Sequence, residues 1–403
     1  MTEEQFLQKK FREYYVKNFV KEPPSIEKRE FGFGVFGKKI SERHFAFKNS
    51  AGFNSFLRNE VPFFASCSPA YYEFPDATPM DAKRFLGSDL VWEFDADDFK
   101  TACAESHTLW KCPKCGLNGK GRLQYCTACG EKTVLDEWVC PECLQEVRKQ
   151  ALELIEWLRN DLGFSEGLGV NFSGSKGFHI HLRSESIFRI PQSGRVELLN
   201  YLTAHELDLN SLGFLAGTSR LSSVSLQKSK GWQKKILQKT VHVLESADAL
   251  QLHSLTNLRE KEAQQFLEQR SKVLQELTQG RLYNFGKKSQ DFWRMLFEHC
   301  IEGLKLRIDR QTSVDLAKIV RVPETLHGST GLLAKKIPLD SLKSFDALSE
   351  TIVFSSNPVK LFVERAPRFF LNGEWFEALE GQEIELPEFA AVFLLAKQAA
   401  RLA

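Results

Sequence analysis

The sequence contains no apolar run approaching the roughly 20 residues that span a bilayer, and its first stretch, MTEEQFLQKKFREYY, is charged and amphipathic where a secretory signal would be apolar. These absences argue against a membrane span and lead to the expectation of a cytoplasmic protein. An excess of either charge is also missing: 54 Lys and Arg stand against 52 Asp and Glu, a formal net charge of +2 over 403 residues. A global electrostatic attraction to nucleic acid is therefore excluded, and any such contact must come from local sites. Internal repeats and low-complexity tracts are absent. Hydrophobic residues make up 42% of the chain and aromatic ones 12%, which excludes a disordered protein and suffices for the cores of two or three domains.

Cysteine is sparse outside one segment. Of nine, Cys67 and Cys300 lie alone and read as buried apolar residues. Six form the C-x-x-C pairs Cys112/Cys115, Cys126/Cys129 and Cys140/Cys143. In a reducing compartment such pairs hold metal more often than disulfides. CPKCGLNGKGRLQYCTACG places ten residues between Cys115 and Cys126, which meets the tetrahedral four-thiolate demand of a zinc ribbon. Four-thiolate sites are coordinatively closed, so zinc here is read as architectural. Lys111, Lys114, Lys120 and Arg122 lie in or beside this module; such charges usually form a solvated face, with contact to template phosphates as the alternative.

Helical periodicity runs through the first ~20 residues, with Phe6, Phe11, Tyr14, Tyr15 and Phe19 on related faces. Pro23 and Pro24 break it, and REFGFGVFG with RHFAF reads as a hairpin of aromatic-rich strands. DLVWEFDADD is an apolar strand ending in acidic residues. An amphipathic helix is expected from Pro141 to Leu162, closed by Gly163, followed by a strand, LGVNFSGSKGFHIHL. Residues from about 194 to 300 are helical in composition, and strand and loop patterns return before a closing helix in PEFAAVFLLAKQAARLA. The expected division is 1–200 and 301–403 as two parts of one catalytic core, with 201–300 as a helical insertion.

Asp95 and Asp97 stand two apart at the end of an apolar strand, where the pleat would put both carboxylates on one face as a seat for Mg²⁺ or Mn²⁺. An isolated D-x-D-D more often caps a strand and begins a turn. A two-metal displacement needs a further carboxylate from another segment, and Asp309 in LRIDR is the candidate. In SGSKGFHIH, small residues around Ser173 permit close approach of a phosphate, and Lys176 and the hydroxyls supply charge and donors. His179 and His181 share one strand face, free to serve phosphate, metal or structure. His327 sits in a fixed loop, and Arg321 six positions upstream is a candidate phosphate clamp, the plainer fates being a hydrogen bond and a surface ion pair.

Taken in order, REFGF, RHFAF, the DADD strand, SGSKGFHIH and D-x(11)-R-x-P-x(3)-H-G-x-T-G resemble the archaeo-eukaryotic DNA primase catalytic small subunit of archaeal type, from near one end of the chain to the other. The resemblance implies a mixed α/β primase core related to the RNA-recognition-motif topology, with a zinc-binding insertion. It implies that Asp95, Asp97 and Asp309 bind catalytic metals. Ser173, His179, Arg321 and His327 would contact nucleotide phosphates, Lys176 would match a basic loop position, and Glu30 and Arg43 would lie at the same site. In the family a zinc knob follows the first acidic strand, matched here by Cys103, His107, Cys140 and Cys143, with Cys112, Cys115, Cys126 and Cys129 as a second site inside the gap. One or two Zn²⁺ are thus expected; the alternative grouping pairs Cys140 and Cys143 with half of the ribbon.

The function implied is de novo synthesis of short primers on single-stranded DNA from nucleoside triphosphates with release of pyrophosphate, in partnership with a large subunit that often bears an iron–sulfur cluster. The chain has no convincing cluster motif of its own. The rivals are a standalone primase-polymerase or end-joining polymerase of the same superfamily, and a non-catalytic zinc-ribbon protein that binds nucleic acid. A phosphoesterase would need a second H-x-H or H-x-T/S element, which is lacking.

Overall fold

A computed structural model describes residues 1–21, 23–99, 101–215 and 226–403. The chain divides into two units: Met1–Arg159 with Phe164–Val196 and Arg307–Ala403, and a second of Asn160–Gly163 with Glu197–Leu306. The second is helical throughout its named elements, from Gly231–Ser246 to Ser289–Glu302, with Trp232, Trp293 and Phe297 buried. Among the described residues no helix is long and apolar enough to cross a membrane.

The first unit is built on two antiparallel four-stranded sheets. One runs Val320–Arg321, Phe64–Cys67, Phe31–Val35, Lys38–Phe45; the other runs Lys336–Ile337, Leu168–Phe172, Gly177–Leu182, Leu90–Asp95. The aromatic hairpin forms as its alternation predicts, and Phe31, Phe33, Phe45, Phe47, Phe53 and Phe56 interlock with centroids 4.4–6.1 Å apart. Leu90, Val91, Trp92 and Phe94 are buried on both faces of the acidic strand, which explains an apolar run interrupted only by Glu93. The helix Pro141–Glu156 starts with proline at its first position, where no amide hydrogen is needed, and buries Leu144, Val147, Ala151 and Leu154. It loosens into a π-turn at Trp157–Asp161, and Gly163 at φ +77° ends it.

Two expectations fail. LGVNFSGSKGFHIHL is two strands, Leu168–Phe172 and Gly177–Leu182, joined by a hairpin turn at Ser173–Lys176. Gly174 adopts φ +82°, and Gly177 lies so close to the Phe94 carbonyl and Asp95 carboxylate that no Cβ fits. The closing helix stops at Ala396, and Ala400–Leu402 adds a third strand to the sheet of Pro358–Ala366 and Leu379–Pro387.

Candidate functional site

A cleft of about 260 Å³ opens between the two sheets. The acidic strand contributes Glu93 and Asp95; the hairpin turn contributes Ser173, Ser175 and Lys176; the histidine strand gives His179, the strand Val320–Arg321 gives Arg321, and the loop after it gives His327. Register explains the gathering, since Gly177 lies opposite Asp95 and His179 opposite Glu93. Motifs some eighty residues apart thereby meet at one sheet edge.

The acidic pair on this face is not the expected one. The strand ends at Asp95, and Ala96–Asp98 is a turn of 3₁₀-helix, so the alternation of the pleat does not extend to Asp97. Counting back from Asp95 puts Glu93 on the cleft face instead. Asp97 forms an ion pair with Lys176, whose Nζ also stands 3.6 Å from Glu137. Asp309 is brought in by its backbone amide, which donates to the Glu93 carbonyl at 3.1 Å. The Thr312 hydroxyl lies 2.7 Å from Glu93 Oε2 and 2.6 Å from Asp309 Oδ2, so one donor serves two carboxylates. Lys318 stands 3.5 Å from Asp309.

Electrostatics divide this group. Burial and the neighbouring Glu93 push Asp95 up to about 6. Burial also opposes ionisation of Glu93, yet the His179 ring, 3.4 Å away, and the Thr312 hydroxyl hold its carboxyl well below the usual range. Burial brings Lys176 down to about 8 and Arg321 to about 10, and keeps His327 and His181 well below ordinary histidine values. Two carboxylates with opposite shifts beside a third make an oxygen donor set suited to a hard divalent cation.

Around the hairpin turn the groups are fixed from behind. The Ser173 hydroxyl accepts from the Gly177 amide at 3.1 Å, and Thr330 donates to the Gly174 carbonyl at 2.5 Å. The Arg321 guanidinium donates to the Ala65 carbonyl and lies 5.0 Å over the Phe64 ring, whose edge meets His327 at 5.2 Å. His181 turns to a separate cleft with Asn171, whose Oδ1 stands 2.8 Å from its Nε2.

Glu30 and Arg43 do not line the main cleft. Glu30 is wholly buried, 2.9 Å from Arg43 Nε and 3.7 Å from Lys83, while Arg43 also donates to the Ala317 carbonyl next to Lys318. Sequence reasoning missed Lys39, Ser66 and Lys318 on the cleft wall and Thr312 behind it. No spacing marks the lysines and Ser66; Glu93 was open to detection by counting the strand's alternation in both directions.

The cysteine segment forms two groups. Cys103, His107, Cys140 and Cys143 come together, and so do Cys112, Cys115, Cys126 and Cys129, each with ligand atoms within 4.8 Å of one another. Sulfur separations of 3.4, 3.5 and 3.9 Å in the first and 3.5 and 3.6 Å in the second fit tetrahedral zinc, for which about 3.8 Å follows from Zn–S bonds of about 2.3 Å. The Cys140 thiol and the His107 ring hold Cys143 down to about 3, and backbone amides of Cys115 and Lys114 lower Cys112 to about 7, while Cys140 and Cys129, hydrogen-bonded to them, are pushed up, so without an ion each group favours one thiolate. This geometry matches the grouping that leaves the ribbon whole and gives Cys140 and Cys143 to Cys103 and His107.

A family model described as the DNA primase small subunit matches residues 133–338. The DNA primase small subunit PriS of Methanothrix thermoacetophila is 31% identical over 414 residues, with 97% of each chain covered. PriS of Methanococcoides burtonii is 26% identical over 418 residues, covering 98% of this chain and 97% of its own. PriS of Nitrosopumilus maritimus is 26% identical over 406 residues, covering 100% and 99%.

Proposed function

The chain belongs to the DNA primase small-subunit family, and from that premise we propose that it is the catalytic subunit of a DNA primase, a nucleotidyltransferase that joins nucleoside triphosphates on a single-stranded DNA template. The observation that carries this reading is the meeting of Glu93 and Asp95 with the Ser173–Lys176 turn in one cleft, with Asp309 tied to Glu93 from beside it by its backbone amide and the Thr312 hydroxyl.

Glu93, Asp95 and Asp309 would hold Mg²⁺ or Mn²⁺, in place of the Asp95, Asp97 and Asp309 set expected from the motif. The ions would supply activation of a 3′-hydroxyl and neutralisation of charge on the pyrophosphate leaving group. Ser173, Lys176, His179, Arg321 and His327 bind the triphosphate. His327, kept neutral by burial, donates one hydrogen bond without adding charge; Arg321, pinned over Phe64, clamps a phosphate without having to be ordered first. Asp97 steers Lys176, and Glu30 braces Arg43 against the Ala317–Lys318 backbone, so both act on the cleft through a neighbour.

The small-subunit family name goes with a large-subunit partner, which the reading includes; the two zinc groups are structural. The test is primer synthesis by the purified chain, alone and with its large subunit, on single-stranded template with labelled nucleotides and Mg²⁺ or Mn²⁺. Synthesis by the wild type and none by Asp95→Asn is expected. Equal output from both, with folding and zinc intact, overturns the assignment in favour of a binding protein.

A further inference from the structure

The cations of this chain are not evenly spread. Residues 111–132 hold Lys111, Lys114, Lys120, Arg122 and Lys132 against one carboxylate, Glu131, a net charge of +4 with the thiols neutral and +2 with four thiolates around one Zn²⁺, while the rest of the chain is net negative by formal count. Arg122 is neutralised by Glu137 at 3.2 Å. Lys111, Lys114, Lys120 and Lys132 are exposed and have no ion-pair partner among the described residues. In a helix or strand surface built only for solubility, charges of both signs are interspersed; here one sign is left uncompensated.

The same module exposes apolar and aromatic surface. Tyr125 is 57% exposed and Val134 60%, although Tyr125 sits at a β-bridge to Lys132 beside the cysteine group. Register puts Lys111, Lys120 and Val134 on one face of the small sheet formed by Asn118–Lys120, Thr108–Lys111 and Val134–Glu137. The base of this sheet touches the catalytic cleft: Glu137, on its last strand, stands 3.6 Å from Lys176 of the phosphate-binding turn.

We propose that the inserted cysteine ribbon is a template-binding surface, on which Lys111, Lys114, Lys120 and Lys132 take backbone phosphates of single-stranded DNA and Tyr125 stacks on an unpaired base. The inference rests on the primase reading for the identity of the strand. Single-stranded rather than duplex DNA is the occupant because an exposed tyrosine ring gains only from a base whose face is free. The ribbon would hold the strand just outside the cleft, where its base contacts the lysine that meets the incoming triphosphate.

The experiment measures binding of a fluorescein-labelled single-stranded oligonucleotide by anisotropy over a salt series, using the full chain loaded with zinc. Wild type is compared with Lys111→Gln/Lys114→Gln/Lys120→Gln/Lys132→Gln, with Tyr125→Ala and with Asp95→Asn. Each phosphate contact contributes about 0.7 to the slope of log affinity against log salt for a single strand, so the quadruple variant should lose up to about 3 from that slope. Tyr125→Ala should bind about fivefold or more weakly at unchanged slope. In primer synthesis both ribbon variants should show a raised template KM with kcat kept.

A quadruple variant that keeps its zinc and shows the wild-type slope overturns the proposal. So does an unchanged slope combined with loss of large-subunit association, which would make the ribbon a protein interface. Asp95→Asn separates the two readings: it should bind with the wild-type slope and make no primer. If no variant, wild type included, makes primer while the lysine substitutions flatten the slope, the ribbon assignment stands and the primase reading fails.

Discussion

The cleft and the cysteine segment both gather groups that suit metal ions, but they do so over different distances along the chain. Each half of the ribbon comes from a C-x-x-C turn, so its ligands are fixed by local backbone geometry. The carboxylates at the cleft come from Glu93 and Asp95 on an edge strand, and Asp309, over two hundred residues later, is joined to Glu93 by one backbone hydrogen bond and the Thr312 hydroxyl. Ligand sets built by local turns are legible in spacing. Those built by register are legible only once the strand ends are known.

The comparison is broken most directly at the cleft. Glu93→Gln or Asp95→Asn should lower primer synthesis by about a thousandfold or more, several kcal/mol of lost charge stabilisation, with zinc content the same as in the wild type. Elemental analysis beside the activity assay checks this. In the cysteine segment, Cys143→Ser should release one zinc and lower Tm. Because Cys143 lies in the first turn of the helix Pro141–Glu156, activity should fall about tenfold to a hundredfold through disorder of that turn. Cys126→Ser should release the other zinc with a smaller loss, under about tenfold at saturating template.

A pH series sharpens the contrast. With Asp95 raised to about 6, apparent Mn²⁺ affinity should climb by up to about tenfold per unit as pH rises toward 6 and level off above it, while zinc affinity, which depends on deprotonating thiols, should keep climbing beyond pH 6. The sign for stability follows. Between about pH 4 and 6 the folded chain without Mg²⁺ or Mn²⁺ holds a proton on Asp95 that the unfolded chain has released, so its contribution to Tm, measured with zinc kept and no Mg²⁺ or Mn²⁺ added, should fall as pH rises through that window, and Asp95→Asn should remove it. Glu93 acts in the opposite direction, its contribution being present above the usual carboxylate range and lost as pH falls. The smallest effect is expected from Asp97→Asn, within about threefold of wild type, because Asp97 acts through Lys176. A loss as large as that of Glu93→Gln would restore Asp97 to the metal set.

Much of the fold was readable from side-chain type. The aromatic hairpin, the N-terminal helix and the helix after Cys140 follow from alternation, 3.6-residue periodicity and a proline at a helix start. The hairpin turn inside LGVNFSGSKGFHIHL was not read, because a run of small residues in extended surroundings resembles a close-packed strand as much as a turn; the positive φ of Gly174 decides between them. The C-terminal strand was missed because Ala399 to Leu402 continues an alanine-rich helical pattern, and pairing with Pro358–Ala366 overrides that local preference.

By itself the sequence determined which residues could meet: a four-thiolate ribbon set by spacing, a further Cys-x-x-Cys pair whose partners the family resemblance supplied, a phosphate-binding turn of small residues with a lysine, and acidic residues at a strand end. The tertiary structure decided which of them do. A strand that stops at Asp95 turns Asp97 out toward Lys176 and leaves Glu93 facing Asp309, because the pleat governs side-chain direction only as far as the hydrogen-bonded ladder extends.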